Sequence, residues 1–422
     1  MEASNVLINK AQGCFLGLLI GDALGASVEG FPPEEISELA LSLDDTQKNI
    51  FINKYIPSIQ MGSVTPLRTE IGYRWATEAS DEQFVSPGPS PNPSLAPFQR
   101  EGYFSDDGNS CIALAESLVE CQQLVGEHVA MSYAKAWKST PTRGYPPTAK
   151  VVLDAILRGV DYRITGKPPY FPFPDGSFAN GGAMRISPLA IAYRNAPSDV
   201  LREACKEAVR SSHVHEEAID GTVVQASAVR YALNIIDPKQ FNVNDFLTEM
   251  ISICETIPMI ERLTALKLEY ETITSSITKS SEDAKEAEED QEQKVGMDKD
   301  FHIDMACLKR LIPHTRPGSG LGFQIASIDA IPCVLWFICR YAVSKPHEVL
   351  LRSIAAGGDT DTIASMAGAI LGALYGIDNN GGGGIFPDHL VTGLENGDRG
   401  KDHALNLATQ LCSLDLLEVE RP

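Results

Sequence analysis

Residues 355–376, AAGGDTDTIASMAGAILGALYG, decide how this 422-residue chain is read. Gly357 and Gly358 are followed at once by Asp359, Thr360, Asp361 and Thr362, and then by an apolar run of small residues from Ile363 to Tyr375. That order places the Asp-Thr-Asp-Thr block at a helix N-terminus. Free N–H groups and the positive end of the helix dipole favour carboxylates there, and one aspartate is enough for a cap. Four oxygen-bearing side chains exceed what capping uses. Hard cations such as Mg2+, Mn2+ or Ca2+ take clustered carboxylate and hydroxyl oxygens, and the paired glycines let the backbone turn sharply beside an ion. The block is therefore expected to hold a cation, with Asp359 as a plain cap the alternative.

Its helix has a matching partner at the other end of the chain. AQGCFLGLLIGDALG, residues 11–25, spaces Gly13, Gly17, Gly21 and Gly25 four apart, on one side of a helix. Gly368, Gly372 and Gly376 form a second stripe. Glycine weakens a helix interior by about 1 kcal/mol relative to alanine, so each stripe needs a backbone or ligand at short range, and the two helices are natural partners. Asp22 is either an acceptor behind a site or a surface residue. Glu29, just before Gly30-Phe31-Pro32-Pro33, stands where helix gives way to loop.

Between residues 40 and 102 the pattern degrades. Helical fragments near residues 71–79 lead into SPGPSPNPSLAP, residues 86–97, whose prolines exclude regular structure. Order resumes at YFSDDGNS, residues 103–110, which starts an amphipathic helix with Ile112, Ala115, Leu118 and Val119 at helical spacing. Ser105, Asp106 and Asp107 thus make a second oxygen cluster at a second helix start. Alone they would be a cap; two clusters far apart in sequence are what a shared or binuclear cation site requires. PTRGYPPTAKVVLDAILRG, residues 141–159, is a turn followed by a helix. In FPFPDGSFANGGAMR, residues 171–185, adjacent glycines with an asparagine and an aromatic can offer N–H groups to a phosphate and a ring to a base. His213 and His215, one residue apart with no cysteine nearby, read as capping or hydrogen-bonding residues before they read as zinc ligands.

The polar stretch after Leu247 includes KSSEDAKEAEEDQEQ, residues 279–293, a solvated helix or linker within a charged segment spanning residues 276–300. Order returns by Met305. PGSGLG at 317–322 lacks the preceding strand that a dinucleotide fold needs, and the glycines of 379–384 read as a turn. Alternating strand patterns are scarce, so the fold class expected is all-α.

Composition narrows the partners. Lys and Arg total 35 against 56 Asp and Glu, a net charge of −21, which leaves no basic surplus for a nucleic-acid backbone or an anionic membrane. The N-terminus lacks a basic segment followed by a long apolar run, and the longest uncharged apolar stretches fall short of a membrane span, so an unanchored protein is expected. Nine cysteines without a CxxC pair suit a reducing intracellular compartment such as the cytoplasm.

GCFLGLLIGDALGASVE, FSDDGNS, GSFANGGAMR, SSHVHEEAIDG and GGDTDTIASMAGAILGALYG stand in the order found in the ADP-ribosylglycohydrolase family, which the chain resembles over most of its length outside residues 40–102 and the acidic segment. RGY at Arg143–Tyr145, GSFANGGAMR and residues 320–341 look most like the type-3 ADP-ribosylhydrolases, which cleave serine-linked ADP-ribose and poly(ADP-ribose). The resemblance implies one compact all-α domain over residues 1–422, with two Mg2+ ions, or Mn2+ in their place, at the mouth of an ADP-ribose cleft. It places Ser105, Asp106, Asp107, Asp359, Asp361 and Thr362 on the family's metal ligands and Glu29 on the acidic residue of its mobile loop, with Glu29, Asp106, Asp107 and Asp361 as the catalytic set. Ser177, Phe178, Asn180, Gly181 and Gly182 fall on the loop that receives the diphosphate and distal ribose, and His213 on a residue near the ligand. One departure stands out: the family usually has threonine after the paired aspartates, and Gly108 here removes a hydroxyl and is expected to loosen the helix start.

The function implied is removal of ADP-ribose from modified protein side chains, serine-linked or as poly(ADP-ribose), by a metal-dependent hydrolase whose partners are ADP-ribose and ADP-ribosylated proteins; the sequence does not give the oligomeric state, with a monomer favoured. Two other readings stand beside it. One is a non-catalytic ADP-ribose-binding or crystallin-like protein; the other is hydrolysis of arginine-linked ADP-ribose or of O-acetyl-ADP-ribose.

Overall fold

A computed structural model describes residues 2–26, 29–30, 102–283, 298–315, 319–377 and 384–419. The helices in chain order begin with α1 (Glu2–Gly25), α2 (Asp106–Cys121), α3 (Gly126–Ser139), α4 (Pro147–Leu157) and α5 (Tyr162–Thr165). The middle of the chain holds α6 (Ser187–Ala192), α7 (Ser198–Val209), α8 (Glu216–Asn234), α9 (Val243–Ser252) and α10 (Ile257–Asp283). It ends with α11 (Asp298–Leu311), α12 (Ser327–Tyr341), α13 (Val349–Ala355), α14 (Thr360–Tyr375), α15 (Asp388–Gly393) and α16 (Lys401–Leu411). Among the described residues no strand forms, and the single β feature is an antiparallel bridge between Ala179 and Ala326. The fold is all-α.

Its axis is the pair α1 and α14. A Cβ added at Gly13, Gly17, Gly21 or Gly25 would overlap the backbone of Gly372, Gly368, Ala364 or Thr360 respectively. Each four-residue step up α1 is matched by a four-residue step down α14, so the helices run antiparallel with backbone against backbone. Only residues without side chains permit that approach; ordinary helix pairs stand about 8–10 Å apart. At the end of the stripe Thr360 Oγ1 donates to the Gly25 carbonyl at 2.8 Å, which seats the first turn of α14 against the last turn of α1. The other faces of α14 meet α8, α12 and α13, burying Ile363, Met366, Ile370, Leu371 and Leu374. Each such side chain contributes about 1.5–3 kcal/mol of transfer free energy.

Residues Asn5–Gly25 make 21 residues of mean hydropathy 1.2, long and apolar enough by composition to cross a membrane. Their place in the fold accounts for that character: 67% of the apolar window is buried within the protein, against α14. A core helix touched on several sides is apolar most of the way round.

Buried aspartates join helices elsewhere. Asp220 on α8 accepts from Arg202 at 2.9 Å and from the Thr256 N–H and hydroxyl at 2.7 and 2.6 Å, capping the start of α10. Asp304 on α11 accepts from Trp336 Nε1 at 3.0 Å, Arg340 Nε at 3.1 Å and the Tyr341 hydroxyl, with Arg352 at 3.6 Å. At the far end of α8, Lys10 donates to the carbonyls of Ala232, Leu233 and Ile235. The polar stretch after Leu247 is helix α10 as far as Asp283, and α11 begins at Asp298, ahead of Met305. Expectations for residues 40–101, 284–297 and 379–383 lie outside the described residues.

Candidate active site

The start of α2 is held by α1. Asp22, wholly buried, accepts from the Ser105 N–H through Oδ1 and from the Gly108 N–H through Oδ2, both at 2.8 Å. It takes the acceptor role rather than the surface one. Ser105 Oγ then caps the helix by accepting from the Asp107 N–H at 3.2 Å. Gly108 does not loosen this start: its N–H is anchored, and a Cβ there would press within 2.7 Å of Leu19 and Phe104, side chains that are almost fully buried. The threonine that the family usually carries would need those neighbours to move.

The start of α14 faces α2. Asp107 accepts from Ser105 Oγ at 3.2 Å, Ser365 Oγ at 2.9 Å and Thr362 Oγ1 at 3.5 Å. Asp361 Oδ1 accepts from the N–H of Thr362 at 2.9 Å. Gly357 and Gly358 both have positive φ, 71° and 75°, so the turn before Asp359 uses the left-handed conformation that glycine adopts without strain. That turn also receives Glu29, because the Gly30 N–H donates to the Gly358 carbonyl at 2.8 Å. One carboxylate oxygen each from Glu29, Asp359 and Asp361 lies within 4.8 Å of the other two.

These carboxylates repel one another. Burial first, and then Asp361, push Asp22 up to about 7. Burial pushes Asp107 well above the usual carboxylate range, helped by Asp361, Asp22, Asp106 and Asp359. Asp359 is raised in the same way, by burial and then Asp361, while Asn180 pulls it back. Hydroxyls and an amide, not cations, are the hydrogen-bond partners of Asp107 and Asp359. A group of acids offering only hard oxygen could hold a divalent cation: the structure brings Glu29, Asp359 and Asp361 together, with Asp107 joined to the start of α14 through Thr362 and Ser365 and to Ser105 on its own helix, while Asp106 contributes its charge beside Asp107.

Asn180 ties the glycine-rich loop to this cluster. Its Nδ2 donates to Asp359 Oδ2 at 2.5 Å and to the Gln324 carbonyl at 3.1 Å. Flanking bonds from the Asn180 N–H to Ile325 and from the Ser327 N–H to Phe178 hold the loop at the start of α12. Ser177 turns the chain inwards by accepting from the Ala179 N–H at 3.2 Å. Phe178 packs 5.7 Å from Phe173 and 6.0 Å from His215, centroid to centroid. Gly181 lies against His213, and Gly182 against Thr222, with no room at either for a Cβ without a shift. His215 caps α8, its Nδ1 accepting from the Glu217 N–H at 3.2 Å, which is the role that its sequence context favoured over zinc.

A family model for ADP-ribosylglycohydrolase matches residues 3–420. The chain belongs to the ADP-ribosylglycohydrolase family. The coarse activity that goes with membership is hydrolysis of glycosidic bonds to ADP-ribose. Among its relatives, ADP-ribosylhydrolase ARH3 of Homo sapiens is 25% identical over 381 residues, 88% of this chain and 86% of that protein. The mouse protein of the same name is 25% identical over 383 residues, 88% and 85%. An uncharacterised protein of Archaeoglobus fulgidus is 26% identical over 407 residues, 96% and 97%. A solved structure described as an ADP-ribosylglycohydrolase-related protein complex shares the fold with a TM-score of 0.56 at 18% identity, covering 98% of this chain and all of that one.

Several groups that shape the site of this ADP-ribosylglycohydrolase were not singled out from the sequence. Ser365 lies one helical turn beyond Asp361 and bonds Asp107; that spacing was readable. Arg143 donates to the Phe104 carbonyl at 2.5 Å, pairs with Glu395 at 2.6 Å and lies over the rings of Tyr103 and Phe104. It braces the residues that lead into Ser105. Asn109 links Tyr145, at 2.7 Å, to Arg399, at 2.6 Å, behind the same helix. These contacts span more than thirty residues of sequence, and no local pattern announces them.

Proposed function

We propose that this glycohydrolase removes ADP-ribose from modified protein side chains, with serine-linked ADP-ribose and poly(ADP-ribose) as the favoured substrates, and that it uses two Mg2+ ions, for which Mn2+ can substitute. The observation that carries the reading is the convergence of Glu29, Asp359 and Asp361 within 4.8 Å, bonded through Asn180 to the loop of residues 177–182. When bound, the ions would neutralise the crowded acids and act as Lewis acids toward ligand oxygens. The chain's own groups do the rest. Glycoside cleavage passes through an oxocarbenium-like state and needs a group that moves a proton at the anomeric centre. Glu29, half-buried at the cluster's edge, is the residue proposed to hold that proton on a carboxylate oxygen. Ser177, Asn180, Gly181 and Gly182 orient the diphosphate and distal ribose, Phe178 supplies a ring face, and His213 lies beside them.

A second reading is a non-catalytic ADP-ribose-binding or crystallin-like protein, for which Gly108 in place of the family's usual threonine would be one ground. The Gly108 N–H is anchored to Asp22, so the helix start itself gives no reason to prefer that reading. The nine cysteines are all free, seven of them buried; the setting proposed from composition is the cytoplasm or another reducing intracellular compartment. The test is ADP-ribose release from serine- and arginine-modified peptides and from poly(ADP-ribose), with Mg2+ and with chelator. Chelator-sensitive release from the serine peptide and polymer is expected, and Glu29→Gln should lower it roughly 100-fold or more, the scale of a lost general acid–base group, while ADP-ribose still binds. Binding without release from any substrate would return the protein to the non-catalytic reading.

A further inference from the structure

A chain of hydrogen bonds behind the ligand loop fixes one histidine. Arg185, only 8% exposed, stacks its guanidinium 4.3 Å from the Tyr133 ring centroid and donates through Nη2 to Ser212 Oγ at 2.7 Å. A serine hydroxyl that accepts from a guanidinium still has one proton of its own to place. Two acceptors are near: His213 Nδ1 at 2.8 Å and the Val209 carbonyl at 3.5 Å. The 2.8 Å contact is the stronger of the two, since 3.5 Å lies at the long end for a hydroxyl donor. Nδ1 then accepts, and in a neutral imidazole the ring proton must sit on Nε2.

We propose that Arg185 and Ser212 are positioning residues that hold His213 as the Nε2–H tautomer, so that it presents an uncharged N–H donor at the glycine loop. Nε2 stands over Gly181, where an added Cβ would lie 2.9 Å away, so the missing side chain is what leaves the donor open. Nε2 makes no hydrogen bond among the described residues. Burial first, and then the Arg185 charge, hold the imidazole well below its usual range, so the neutral ring is the form in question. The adjacent His215 carries its proton on the same nitrogen, because its Nδ1 accepts from the Glu217 N–H. The donor suits a phosphate or hydroxyl oxygen of ADP-ribose. Only that last step rests on the proposed hydrolase reading; the tautomer does not.

The test is long-range 1H–15N correlation on the full-length, histidine-labelled protein, with His213 assigned through His213→Gln, followed by titration with ADP-ribose. The expected result is a protonated Nε2 and a bare Nδ1 without ligand, and a shift of Nε2 on ADP-ribose addition. Ser212→Ala should give mixed tautomers and about tenfold weaker ADP-ribose binding, the scale of one hydrogen bond, with Ser212→Thr restoring both. A proton on Nδ1 in the wild-type spectrum overturns the proposal, and that reading needs no variant to fold. An unchanged tautomer and affinity in Ser212→Ala also overturns it. Failure of ADP-ribose release with the Nε2–H form intact would instead count against the hydrolase alone.

Discussion

Asp304 and Asp107 are equally buried, at 0% and 2% exposure, and keep opposite company. Around Asp304 stand Arg340, Arg352, the Trp336 indole and the Tyr341 hydroxyl, all donors, two of them cations. Around Asp107 stand three hydroxyls and, electrostatically, four more carboxylates. Burial raises both acids. For Asp304 the Tyr341 and Arg340 contacts pull back; for Asp107 every neighbouring charge pushes the same way. An uncompensated buried charge is costly by several kcal/mol, and natural cores seldom keep one without a use. The first aspartate closes a packing joint between α11, α12 and α13. The second has no cation of the chain beside it, and in the proposed reading a divalent ion would supply the missing charge.

Substitution should separate the two. Asp107→Asn is expected to lower ADP-ribose release by more than roughly 100-fold, above the usual loss from disturbing an outer partner of a metal ligand, while the chelated protein melts no lower than wild type because a repulsion has been removed. Asp304→Asn should do the reverse. Urea unfolding should show a loss of about 3–5 kcal/mol, typical of breaking a buried ion pair, with the KM of the folded protein unchanged. If Asp107→Asn instead unfolds the chelated protein, the contrast between the regions fails.

The glycine stripe lets the comparison be sharpened from a third position. Gly17→Ala puts a methyl group into the Gly368 carbonyl, and overpacking of this kind typically costs about 1–3 kcal/mol. Because α1 and α14 carry Asp22 and Asp361, separating them should also weaken divalent-ion binding, an effect that Asp304→Asn should not share. Titration calorimetry with Mg2+ on both variants decides this.

The smallest effect expected is on pH dependence. The folded chain holds Asp22 up to about 7, and Asp107 and Asp359 are raised too, whereas unfolded aspartates titrate near about 4. Between those values the folded chelated protein binds protons that the unfolded chain has lost. Its stability should therefore fall as pH rises from about 4 to about 7. Melting temperature across that range measures it, and Asp107→Asn should flatten the slope.

How much of this was legible in the sequence depends on how local each signal is. The all-α class, the pairing of the two glycine stripes and the Asp106–Asp107 and Asp359–Asp361 helix starts could be read because four-residue periods and cap positions are local patterns. Asp22 was left undecided between two roles, although its place next to Gly21 on a stripe that must touch another backbone argues for burial. The apolar length of α1 reflects a place in the core, which local composition does not tell apart from a membrane span, and Asp22 within it is a buried acceptor. Arg143, Asn109, Arg185 and Ser212 stand in the motifs that carry the resemblance, but they act through tertiary contacts, so the motifs do not show what they touch.

The most direct test of the account is thermal unfolding of the wild-type protein near pH 7.5 in chelator and in millimolar Mg2+, with Asp107→Asn and Asp304→Asn beside it. A cation filling the acidic cluster predicts that Mg2+ raises the melting temperature of the wild type and of Asp304→Asn, and leaves Asp107→Asn where chelator put it. Equal melting of the wild type with and without Mg2+ would contradict the claim that this cluster awaits a divalent ion.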